Sequence, residues 1–133
     1  MRVLALELSS ARGSIAFRDG DDEIFATDFA NDRKHSGFFF THLKRCVELC
    51  GDAERIVVGL GPGSYAGTRI AIAAAIGLQS GSTAQLGGSP SIIALPTDAP
   101  EYVVIGDARR QSFYFALVRQ RCCVEGPVLC AAA

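Results

Sequence analysis

The sequence lacks a CxxC pair, a long apolar run and an excess of charge of either sign. Each absence removes a class of function. Lys and Arg total 13 against 14 Asp and Glu, a formal charge of -1. A chain this close to neutral has no strong field of its own for gathering nucleic acid. Nothing approaches the roughly 18 uninterrupted apolar residues of a membrane span, so no membrane role is expected. Histidine occurs only twice, at His35 and His42, seven positions apart with no acid between them. A zinc protease needs two histidines four apart with a Glu base, and that pattern is missing. The five cysteines, Cys46, Cys50, Cys122, Cys123 and Cys130, have poor ligand spacing. No metal site is expected. An odd cysteine count behind a start without a secretory pattern points to reduced thiols in the cytoplasm.

What is present is an ordinary globular balance, 49% hydrophobic and 20% charged over 133 residues. Strands are expected at Val3–Leu8, Ser14–Arg18 and near Glu23–Phe29, the last two joined by the hairpin signal Asp19-Gly20. Ser36 is placed to cap a helix to Cys50, along which Phe39, Leu43, Cys46 and Cys50 recur at helical spacing. Gly51 and Asp52 stop it. Arg55–Leu60 reads as a buried strand, and Thr68–Gln79 as a helix apolar or small on nearly every side. A strand near Gln85–Gly88, a short helix Ser91–Leu95 and a link from Pro96 to Pro100 follow. Tyr102–Gly106 and Phe113–Arg119 make a last pair of strands, and beyond Cys122 no pattern is legible.

The run from Arg2 echoes, without a gap, the run from Tyr102. Each is an apolar strand ending in one carboxylate, Glu7 or Asp107, then a polar turn, then a second strand. A duplicated strand–acid–hairpin unit is how actin-like ATPases begin their two lobes, with the acids facing across a nucleotide cleft. Two such hairpins can also arise from composition alone.

Gly61-Pro62-Gly63-Ser64-Tyr65-Ala66-Gly67-Thr68-Arg69-Ile70 resembles the GPGSFTGLRIG signature of the TsaB (YeaZ) family. Leu4-Ala5-Leu6-Glu7-Leu8-Ser9 is similar to that family's opening LAIDTS, and Lys34-His35-Ser36 sits where it has an HS pair. Gly106-Asp107-Ala108-Arg109-Arg110, followed by Phe113-Tyr114-Phe115, resembles its DAR motif and aromatic strand. Glu7 departs from the usual Asp, Ala66 from Thr and Thr68 from Leu.

The resemblance implies an α/β, actin-like (ribonuclease H-like) lobe over residues 1–100, with a mixed sheet of about five strands. Residues 101–133 would be the truncated start of a second lobe, a hairpin and a loose tail, with Glu7 and Asp107 marking a vestigial nucleotide cleft. It implies a non-catalytic partner of the paralogue TsaD, in a complex that places a threonylcarbamoyl group on tRNA. ATP and metal would sit in that partner, with tRNA met only through the complex, and a homodimer is the other association implied. His35, Phe39, Leu43, Arg69, Ile72, Ala73 and Ile76 are the expected partner-binding residues.

The loop Gly61, Pro62, Gly63, Ser64 and Gly67 keeps three readings: phosphate cradle at a helix start, structural turn, or connection into an interface helix. No Lys follows its last glycine, so it is not a Walker loop. The enzyme alternative is a small phosphotransferase or ATPase holding magnesium between Glu7 and Asp107.

Overall fold

A computed structural model describes residues 1–32 and 37–131, which fall into two compact units, Met1–Ser89 and Pro90–Ala133. The division comes earlier than the boundary expected after residue 100.

The first unit opens with β1 (Arg2–Glu7), β2 (Arg12–Asp19) and β3 (Asp22–Ala30), an antiparallel meander. Gly20 turns β2 into β3 at φ +58°, the left-handed conformation the Asp-Gly signal called for. After α1 (Phe38–Cys50) the chain enters β4 (Arg55–Gly59), then α2 (Tyr65–Ser80) and β5 (Gln85–Ser89). β4 lies parallel to β1 and to β5, giving a five-stranded mixed sheet in the order β3-β2-β1-β4-β5. The expected five-stranded lobe is present.

Alternation along the strands sends Leu4, Leu6, Ile15, Phe17, Ile56 and Val58 to one face. Both helices cover that face, α1 over β2 and β3, α2 over β4, β1 and β5. Phe39, Leu43, Cys46 and Cys50 of α1 and Ala71 and Ala75 of α2 complete the core. Glycine at position 51 closes α1 at φ +70°, and its N–H donates to the Val47 carbonyl. The Ser36 cap lies outside the described residues, and Gly37 holds the N-cap place.

In the second unit a short 3-10 turn, Ser91–Ala94, precedes β6 (Glu101–Arg109), β7 (Ser112–Arg119) and β8 (Cys122–Ala131). These form a three-stranded antiparallel sheet rather than a hairpin with a loose tail. The unit therefore repeats the meander that opens the first. The gapless echo holds only for the first strand of each. Leu4 pairs with Phe17, whereas Val104 pairs with Ala116, one residue out of step. The cause is the β6–β7 turn, where an irregularity at Asp107 and Arg109 runs into three left-handed residues, Arg109, Arg110 and Gln111.

Candidate interaction face and the glycine-rich loop

Two of the sequence motifs, the opening strand and the glycine-rich loop, meet at the carboxyl end of β1. One Glu7 oxygen accepts the Ser9 N–H at 2.6 Å, closing the β1–β2 turn. Asn31, at the end of β3, donates its side-chain amide to the Leu8 and Ser10 carbonyls at 2.9 and 2.8 Å. The Ser64 N–H reaches the Ser9 carbonyl at 2.5 Å, so the glycine-rich loop is hydrogen-bonded to the same turn.

The contact is too close for side chains. A Cβ on Gly63 would stand 2.0 Å from the Ser9 carbonyl oxygen, and one on Gly67 2.0 Å from the Leu8 carbonyl oxygen. Gly61 adopts φ +85°, which only glycine tolerates readily. Ser64 then caps α2, its hydroxyl accepting from the Gly67 N–H at 3.1 Å. That cap starts the helix at Tyr65, three residues before the expected Thr68. The loop glycines are thus accounted for by close packing of loop on turn. Replacing Ser64 with Ala should cost about 1 kcal/mol, read as a lower denaturant midpoint at unchanged slope.

In the second unit Asp107 repeats the local role of Glu7: one carboxylate oxygen accepts the Arg109 N–H at 2.8 Å. Each acid closes its own turn. Among the described residues no group of three His, Cys, Asp or Glu side chains is placed to hold a metal ion.

The outer sides of the helices carry the other candidates. His35 lies outside the described residues. Phe39 and Leu43 are 2% and 6% exposed, so they are core rather than partner-facing. Their spacing with Cys46 and Cys50 marks the most regular apolar stripe of α1, and that stripe goes to the chain's own sheet. Ile72 is half-buried against the same core. Arg69, Ala73 and Ile76 do face outward, joined by Ala66, Ile70 and Gly77 in one exposed stripe down α2. Phe40 stands 56% exposed on α1. Arg69 is the only charge on α2, with its guanidinium 5.4 Å from the ring centre of the exposed Tyr65. The expected partner-binding set leaves out Tyr65, Ile70 and Phe40, although a side chain four residues from Arg69 on a helix is a predictable neighbour.

All five cysteines are free thiols. Burial, reinforced by the neighbouring Cys50, pushes the Cys46 thiol up to about 12. Thiolate is the reactive form, so alkylation at pH 8 should reach the exposed Cys122 first and spare Cys46 until the chain unfolds. Mass spectrometry of a timed iodoacetamide reaction reads the order directly.

No helix among the described residues is long and apolar enough to cross a membrane. No protein-family model matches the chain. Among solved structures it is similar to YeaZ from Pseudomonas aeruginosa, with TM-score 0.75 and 21% identity, covering 99% of this chain and 64% of that one. A second structure, described as an uncharacterized protein with similarity to peptidase YEAZ from Pseudomonas aeruginosa, gives 0.76, 21%, 99% and 63%. The ethanolamine utilization protein EutJ from Carboxydothermus hydrogenoformans is similar at TM-score 0.52 and 11% identity, over 94% of this chain and 50% of that one. The chain spans less than two thirds of the YeaZ structures it matches, and over that span it shares their fold.

Proposed function

We propose that this chain is a TsaB-type accessory subunit that binds and activates a TsaD-type paralogue through the outer face of α2. The observation that carries the proposal is the exposed stripe Ala66, Ile70, Ala73, Ile76 and Gly77 on a helix whose opposite side already covers its sheet. Ile70 and Ile76 are 41% and 48% exposed, and the small residues between them permit close approach of a second helix. Large apolar side chains in one stripe are a surface that a partner hides. The likeness in fold to YeaZ and the signature around the glycine-rich loop support a TsaB-type reading, and a TsaD-type partner is what that reading implies.

The tRNA would be met only through the complex, in keeping with the net charge of -1. ATP turnover tests the assignment. The accessory reading expects turnover in a mixture with the TsaD-type protein and none from this chain by itself. Turnover by the isolated chain, lost on Glu7→Ala, would replace it with the phosphotransferase reading.

A further inference from the structure

The sequence reads Ser91–Leu95 as a short helix and Pro96–Pro100 as a link, but the contacts of Pro90–Pro100 are those of one built element. Ile92 is buried with Ala116 and Val118, and Ile93, Tyr102, Val104 and Tyr114 pack around them. The Tyr102 hydroxyl donates to the Ile92 carbonyl at 2.7 Å. The Gln120 N–H donates to the Pro100 carbonyl at 2.7 Å. Above all, one guanidinium gathers three consecutive odd-numbered carbonyls. Arg121 donates through Nη1 to Ile93 at 3.2 Å and Leu95 at 2.6 Å, and through Nη2 to Thr97 at 2.7 Å.

We infer that Pro90–Pro100, which falls in the second unit, is a clasp on its sheet latched by Arg121. Of the three carbonyls, that of Leu95 also accepts the Thr97 N–H at 2.9 Å, and the flat fork of an arginine, unlike a lysine ammonium, can hold several carbonyls at once. Gln120 and Arg121 form the tight β7–β8 turn at φ +49° and +60°. That turn fixes the Arg121 backbone, so the side chain projects from a rigid corner of the sheet onto the clasp. Released, the clasp would uncover Ala116 and Val118, which are otherwise fully buried. The core of this small sheet is therefore conditional on the latch.

Amide hydrogen exchange tests this. Arg121→Asn suits the left-handed backbone but is too short to reach the three carbonyls. It should speed exchange at the Ile93 and Thr97 amides at least tenfold, with β1–β5 unchanged. Tyr102→Phe, which removes only the hydroxyl, should speed Ile93 more than Thr97. Arg119→Ala, which breaks only the exposed pair with Glu101, should leave both amides as in the wild type. Wild-type exchange at both amides in Arg121→Asn would overturn the inference. So would equal acceleration across β6–β8, since the guanidinium would then be stabilising the sheet and not latching a clasp.

Discussion

Gly63→Ala and Gly67→Ala should each destabilise the chain by about 3 kcal/mol or more, whereas Gly77→Ala should be neutral or stabilising. The added methyl at position 63 or 67 meets a backbone carbonyl oxygen at 2.0 Å, and a carbonyl at a strand end cannot swing aside as a flexible side chain can. Relief requires the loop to lift off the β1–β2 turn, breaking the Ser64 to Ser9 hydrogen bond and disturbing the start of α2. Gly77 differs in every respect: it is exposed in mid-helix, with nothing within 4 Å of its added Cβ. Alanine there removes backbone entropy from the unfolded chain, a gain of about 0.4–1 kcal/mol. Thermal unfolding of the three variants separates the cases. The first two should melt roughly 10 °C or more below the wild type. Equal melting of all three would mean that the loop is not packed as described and is free to receive a ligand.

Ile76→Asp and Ala73→Arg should each weaken association with the partner by at least about 2 kcal/mol, roughly 30-fold, while leaving the fold intact. Both positions lie on the exposed side of α2, so a charge there remains solvated in the free chain. In the complex the same charge would be buried among apolar groups without a counter-ion, which is the costly case. Phe39→Ala provides the contrast. Its ring is 2% exposed and packs with Phe29 at 6.4 Å between ring centres, so its loss should cost about 3–5 kcal/mol of stability. A pull-down with parallel circular-dichroism melts distinguishes a variant that fails to bind from one that fails to fold.

The first unit was legible because its signals are local and redundant. Strand alternation, the Asp19-Gly20 turn and the Gly51 stop each point to one structure. β8 was not, because Cys122-Cys123-Val124-Glu125-Gly126-Pro127 carries no alternation. Two register shifts in its pairing with β7 break the period-two pattern that marks a strand. The β6–β7 and β7–β8 turns use Arg, Gln and no glycine in left-handed conformations, so they send no turn signal. Of the candidate site, the glycine loop was legible in position but not in cause. Its tight spacing answers to Leu8 and Ser9, more than fifty residues away in sequence. The α1 interface residues were misassigned for a physical reason. In the run Phe38-Phe39-Phe40 the helix phase decides which ring is buried, and only Phe39 shares a stripe with Leu43 and Cys46.

The most direct test of the account is the co-purification of this chain with the TsaD-type paralogue of its host, each at micromolar concentration. The account predicts a one-to-one complex for the wild type and for Ile70→Ala a weakened one. For Ile76→Asp it predicts none, with the melting curve of the free chain unchanged. A wild-type chain that elutes alone as a monomer would contradict it, as would an Ile76→Asp chain that binds as tightly as the wild type.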